Sequence, residues 1–186
     1  SQILSGGFEE TRLPEGRFDL TIGNVPFGNF PVPDRRHNSG RHSIHNYFII
    51  KALRLTAPGG FVAVITSTWT LDAQSERARR DMAKFGDLIA CARLPHNTFR
   101  EAAGTEVATD VLVFRRRKPG EVPDEQRIDR WVRSGTLPVT GPDGEPVMLS
   151  VGGPLAEDPD GILGEAVAAT DRFGQPALRV DPRGPS

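Results

Sequence analysis

Apolar and polar positions alternate from Phe18 to Gly23 (FDLTIG), between Gly16 and Pro26, and this period of two predicts a buried core strand. A loop follows, in which Pro31, Pro33 and a mixed polar run lead to Arg41. From Ser43 to Thr56 the period lengthens. Ile44, Phe48, Ala52 and Leu55 recur at intervals of three and four, which predicts an amphipathic helix with Ser43 as N-cap, stopped by Pro58, Gly59 and Gly60. Phe61 to Thr66 (FVAVIT) is a continuous apolar run of the kind found in strands covered on both faces. Leu71 to Phe85 predicts a polar, Arg-rich helix capped by Asp72 or Ser75 and ended at Gly86. Two further strands are predicted over Leu88 to Leu94 and Val107 to Arg115, joined by a loop bearing Pro, Asn and Gly.

The order strand, helix, strand, helix, strand, strand defines an α/β fold. Alternating units imply a parallel sheet with right-handed crossovers, and two strands in direct succession add a terminal antiparallel strand pair. Beyond Arg117 the composition shifts to Pro, Gly, Asp and Glu, with short helices predicted only over Ile128 to Val132 and Gly161 to Ala169. The expectation is therefore a catalytic-sized unit over residues 1–118 and an irregular, extended or partner-dependent tail over 119–186.

Composition narrows the classes further. The formal net charge is -1 over 186 residues, so any surface for nucleic acid must be local. Cys91 is the single cysteine, which leaves no disulfide framework and fits a reducing, cytoplasmic setting. No apolar run approaches the ~20 residues of a membrane helix, and no membrane partner is expected. The four histidines lack metal-site spacing, so no metal is implied. Arg115, Arg116, Arg117 and Lys118 read as a solvated strand exit.

In open α/β sheets ligands gather at the carboxyl ends of strands, which places Asn24, Val25, Pro26 and Phe27 where a site is built. These residue types suit methylation of an exocyclic amino group on a nucleobase. That nitrogen is a poor nucleophile because its lone pair is delocalised into the ring. Two acceptors on its two N–H groups hold it so that the lone pair points at a methyl donor. The Asn24 side-chain oxygen is one acceptor, and the carbonyl of Val25, held extended by Pro26, is the other. Phe27 would stack on a base rotated out of the duplex. Asn, Pro and Gly are equally ordinary loop residues after a strand, and the tetrapeptide alone leaves both readings open.

The stretch DLTIGNVPFG resembles the catalytic motif of S-adenosylmethionine-dependent amino-group methyltransferases, above all the DNA N6-adenine methyltransferases. NYFIIKALRLTAPGGFVAVITSTWTLD resembles the helix, Pro-Gly-Gly turn and hydrophobic strand that follow in that family. RLPHNTFREAAGTEVATDVLVFRRR is similar to its last two strands. The resemblance covers roughly residues 7 to 117, in the family's order. It implies a partial class I methyltransferase (Rossmann-like) sheet, with Asn24 and the Val25 carbonyl binding the target amine, Pro26 shaping the turn and Phe27 on the base. Val25 departs from the family's usual Pro, a change compatible with use of its carbonyl. Asp19, the acidic residue that opens the strand, is expected to be structural.

The cofactor implied is S-adenosyl-L-methionine, with Asn24 and Phe8 beside it; Gly7 replaces the acidic residue that family members often carry before that Phe. The family's glycine-rich loop and ribose-binding acid belong N-terminal to Gly7, so the resemblance implies the C-terminal half of a catalytic domain, completed by the same polypeptide or a partner chain. Alone, it is expected to bind the cofactor weakly or not at all. The partner implied is DNA, with Arg35, Arg36, Arg41 and His42 in the loop after the motif facing phosphates beside the extruded base. His45 and Asn46 either line the pocket or cap and pack the helix. LAEDPDGILGE is similar to a segment of very large bacterial methylase and helicase-like proteins. Alternatives with the same motif are RNA or protein-glutamine methylation, and a further one is a catalytically inactive DNA- or partner-binding module.

Overall fold

The computed structural model describes residues 3–99, 108–141, 143–170 and 176–184. The first strand, β1 (Phe18–Asn24), lies parallel to β2 (Thr56–Ser67), and helix α1 (Ile44–Leu55) connects them. The first sheet has the order β1-β2-β4-β3, with β3 (Gly86–Leu94) and β4 (Thr109–Arg116) as the expected antiparallel pair at one side. β4 is antiparallel to β2 as well, so β1, β2 and β3 share one direction. The start of the fourth predicted strand, Val107, lies outside the described residues. No described helix is long and apolar enough to cross a membrane.

The two faces of this sheet differ. Val62, Val64, Leu112 and Phe114 are almost wholly buried and form one core with Ile49 and Leu53 of α1 and Met82 of α3 (Arg77–Ala83). The opposite face carries Leu20, Ile22, Phe61, Ala63, Ile65, Val111 and Val113, and none of these is buried. Ile22 is 76% and Leu20 57% exposed, so β1 is an open edge strand and not the buried core strand that its alternation predicts. Alternation fixes which residues share a face; it does not say whether a layer covers that face.

The helix predicted over Leu71 to Phe85 is two, α2 (Trp69–Asp72) and α3. Arg79 explains the break. Buried to 1% exposure, it donates from Nη1 to Thr70 O at 3.1 Å, from Nη2 to Ala73 O at 2.7 Å and from Nε to Val132 O at 2.5 Å. One guanidinium thus binds carbonyls at the end of α2 and the last turn of α4 (Glu125–Val132). Neither predicted cap is used: Asp72 turns to Arg93, and Glu76, not Ser75, stands at the N-cap of α3, without a side-chain cap bond.

The tail is a correction. The described residues between 119 and 184 build α4, a four-stranded sheet and a short helix, α5 (Gly153–Glu157). The sheet, of order β6-β5-β7-β8, contains β5 (Ser134–Thr140), β6 (Pro146–Gly152), β7 (Glu165–Thr170) and β8 (Pro176–Asp181). The predicted helix over Gly161 to Ala169 is instead the end of a 3₁₀ turn (Pro159–Gly161) followed by β7. Sparse apolar residues suffice because they pack onto the first sheet's core: Trp131 meets Phe114 edge-on at 5.8 Å, and Val132, Val151 and Leu155 are fully buried. Asp124 caps α4 by accepting from Arg127 N–H at 3.0 Å.

An ion cluster ties the two parts together. Arg93 donates to both oxygens of Asp110 (2.8 and 2.9 Å) and both of Asp72 (2.8 and 2.9 Å), and Asp72 also accepts from Gly152 N–H at 2.8 Å. The expected solvated exit is also partly wrong, because Arg117 chelates Asp87 at 3.1 Å to each oxygen and is only 8% exposed at its side chain. Arg93→Ala leaves Asp110 buried without its partner and is expected to cost about 3–5 kcal/mol of unfolding free energy, measured by urea titration.

Candidate functional site

The motif follows the parallel pair directly. Asn24 is the last residue of β1, opposite Ile65, and is exposed; among the described residues its side chain makes no hydrogen bond. Val25 is 5% exposed and donates its N–H to Ile65 O at 3.0 Å, which continues the β1–β2 ladder by one residue. Its side chain anchors the turn, while no donor among the described residues engages its carbonyl. Pro26 is exposed and the Phe27 ring is 40% exposed. Two acceptors and one aromatic ring are thus presented on a turn pinned at its first residue.

The other end of the turn rests on α1. Gly28 lies so close to Phe30 that a Cβ there would stand 2.6 Å from its ring. The Gly28 carbonyl bonds His45 Nδ1 at 3.0 Å, His45 Nε2 lies 3.0 Å from Ser43 Oγ, and Asn46 Nδ2 donates to the same oxygen at 3.1 Å. Burial pushes the His45 pKa down against the pull of the Gly28 carbonyl. The neutral ring with Nδ1–H donating to Gly28 then accepts from the Ser43 hydroxyl at Nε2. His45 and Asn46 therefore pack and orient the turn from below. Ser43 occupies the predicted N-cap position but spends its hydroxyl on this chain of bonds and makes no capping bond.

The basic loop is built around two buried polar residues. Asn38 donates to Val32 O (2.9 Å) and His42 O (3.1 Å) and accepts from His42 N–H (2.8 Å). Asp34 accepts from the N–H groups of Arg36 and His37 at 3.0 Å each, from the Tyr47 hydroxyl at 2.8 Å and from Lys51 at 3.2 Å, with His37 Nδ1 at 3.1 Å. Burial raises the Asp34 pKa, but the Tyr47, His37 and Lys51 donors outweigh it and hold the carboxyl well below its ordinary value. Burial and the same carboxylate push the Tyr47 hydroxyl up, so it remains a donor.

This framework sorts the four residues predicted to face phosphates. His42 is only 8% exposed and bonds Asp81 at 2.6 Å, so it is part of the scaffold and not a surface contact. Arg36 pairs with Glu15 at 3.1 Å. Arg35 and Arg41 are exposed, make no ion pair among the described residues, and line a hollow of about 650 Å³ with Pro31, Pro33 and Ser39. Arg41 adopts φ of 51°, a left-handed conformation held by its N–H to Asn38 O at 2.9 Å.

Phe8 packs on Phe48 at 4.8 Å between ring centroids and on Tyr47 at 6.3 Å, with Lys51 Nζ 4.7 Å from its ring centre. Lys51, 1% exposed, also donates to the Phe8 carbonyl. Sequence reasoning missed Asp34, Asn38, Tyr47 and Lys51. A short acidic side chain directly after two closely spaced prolines and a lysine on an apolar helix face were the available signals. Among the described residues no group of three or more His, Cys, Asp or Glu forms a metal site.

No family model matches the chain. Over 118 residues, 60% of its length, it is 30% identical to the protein of Escherichia phage P1 named "Defense against restriction protein B". The chain spans about 5% of the length of that relative. Among solved structures it is similar to a class I S-adenosylmethionine-dependent methyltransferase of Listeria monocytogenes described as putative (19% identity, 62% of this chain and 36% of that one, TM-score 0.47). It is also similar to the modification subunit of a putative type I restriction enzyme from Vibrio vulnificus (18%, 89% and 37%, TM-score 0.45) and to the M protein of the type I restriction enzyme EcoKI (25%, 54% and 21%, TM-score 0.42).

The Asp34 carboxylate contributes stability that is complete above the ordinary carboxyl value of 3.8 and is lost as pH falls below it. Asp34→Asn is expected to lower stability near neutral pH by about 1–3 kcal/mol and to flatten the acid limb of thermal melts, since the variant has no carboxyl to protonate.

Proposed function

We propose that this chain is the target-binding part of an S-adenosylmethionine-dependent methyltransferase acting on the N6 amino group of adenine in DNA. The observation that carries this reading is the Asn24 turn: an amide oxygen and a backbone carbonyl without partners among the described residues, both at the carboxyl end of a parallel strand, beside a half-exposed phenyl ring. Asn24 Oδ1 and Val25 O accept the two amine N–H bonds and turn the nitrogen lone pair outward from the ring plane. Phe27 stacks on the extruded base. When bound, S-adenosyl-L-methionine supplies the electrophilic methyl group. Catalysis by this chain is positioning, and the surplus proton of the amine leaves to water without a strong base.

The residues present fit one wall of a cofactor site. Phe8 is half-buried and already packed on α1, so any adenine contact uses only its remaining edge. The rest of the wall belongs, in this reading, to a cofactor-binding segment of the same polypeptide or a partner chain. The uncovered apolar face of β1 and β2 supports such a segment, because parallel strand pairs are normally covered on both faces. Arg35 and Arg41 approach phosphates flanking the base, on the prefolded loop. The phage P1 relative is named for defence against restriction, which fits a chain that acts on DNA.

In the full-length polypeptide, Asn24→Ala is expected to lower adenine methylation roughly 10²-fold or more, read by mass analysis of digested DNA. Unchanged methylation overturns the assignment. Arg35→Ala combined with Arg41→Ala is expected to reduce the slope of log affinity for DNA against log salt by about 2, with Arg36→Ala closer to the parent.

A further inference from the structure

Far from the motif, the outer edge of β3 is an open strand edge set in a trough. β3 ends the first sheet, and among the described strands its one neighbour is β4. On its free side Ile162 bridges Arg93, and Leu163 N–H donates to Arg93 O at 2.8 Å. Among the described residues no backbone partner continues this pairing from Leu88 to Ala90. The register shifts between Leu88 and Ala90, and Ile89 is 39% exposed there. A hollow of about 430 Å³ runs along this edge, lined by Ile89, Ala90, Trp131 and Pro154. The Trp131 indole is 3% exposed and its Nε1 has no hydrogen-bond partner among the described residues.

Arg127 and Arg130 line the same hollow. Three residues apart on α4, they lie on one helix face, ~5–6 Å from each other at Cβ. Both are exposed and neither makes an ion pair among the described residues, whereas Arg80 and Arg133 are both paired with Asp129. An unpaired strand edge calls for main-chain amides, and two unpaired guanidiniums call for carboxylates. Side chains two apart on a strand are separated by ~7 Å, close to the spacing of the two arginines. Glu157 and Asp158 also line the hollow, so acidic side chains are favoured only where they face Arg127 and Arg130.

We infer that this trough is a docking site for an extended peptide segment with alternating apolar and acidic side chains, which adds a strand to β3 and sets its carboxylates against Arg127 and Arg130. The inference stands apart from the methylation chemistry. Its test uses the full chain and two fluorescein-labelled nonapeptides, one alternating Val and Glu, the other Val and Lys, followed by anisotropy. The Val/Glu peptide is expected to bind at least tenfold more tightly than the Val/Lys peptide. R127E/R130E, both on the exposed side of α4 with folding checked by circular dichroism, is expected to invert that order. Absence of binding, equal affinity for both peptides, or no effect of the charge reversal overturns the proposal. A chain that sediments as a dimer, is made monomeric by R127E/R130E and binds neither peptide overturns it in favour of a second copy on the same edge.

Discussion

A single buried guanidinium holds the molecule together. Arg93 lies on β3, Asp110 on β4 and Asp72 at the end of α2, and the remaining contact of Asp72 is the backbone N–H of Gly152 on β6. Two carboxylates facing one cation would be unfavourable inside a protein if any of their oxygens lacked a donor. Here all four oxygens are met by Arg93 in two forks, at 2.8–2.9 Å. The geometry permits only one arrangement of β3, β4, α2 and β6, and this gives the second sheet a fixed position on the first. Close packing follows from it: a Cβ on Gly152 would lie 2.5 Å from Leu71 Cβ, so α2 and β6 touch through a residue without a side chain.

The same economy governs the charged residues elsewhere. Arg79, Arg93, Arg117, Lys51 and His42 look alike in a sequence of near-zero net charge, yet each is spent on carbonyls or carboxylates in the interior. What remains at the surface is informative because so much is committed. Arg35 and Arg41 stand on a loop held by Asn38 and Asp34, so they are presented without the loop having to order itself first. That lowers the entropic cost of any anion they meet.

Much of the first sheet was legible in the sequence because its signals are local. The period of two in FDLTIG, the run FVAVIT and the three-and-four spacing from Ile44 each report the conformation of the segment that carries them, and β1, β2 and α1 fall there. Asn24 at a strand end was legible for the same reason, whereas the burial of Val25 was not. The exposure of β1 was not, since it depends on which layers lie above the sheet. The tail failed differently. Its few apolar residues are too sparse to form a core of their own, but Ile128, Trp131, Val151 and Leu155 extend a core that reaches back to Val25, Ile49 and Leu53, and no window of sequence contains both sides of such a contact. His42 was misplaced because a histidine in an arginine-rich loop carries no local sign that Asp81 waits beneath it.

The open face and the candidate site meet on one strand. Leu20, Ile22 and Asn24 alternate along β1 and so point to the same side of the sheet, with Phe61, Ala63 and Ile65 beside them on β2. A long apolar edge strand left uncovered invites pairing with whatever strand is available. In the proposed reading, a segment that covers Leu20 and Ile22 ends beside Asn24, which stands at the end of the same exposed row, and supplies a wall of the site. The turn itself need not rearrange, because Val25 and Gly28 are already fixed by Ile65 and His45. On the proposed function, a docking segment would add a wall to acceptors that are already in position, and the hydrophobic gain from covering β1 would hold the two parts in register.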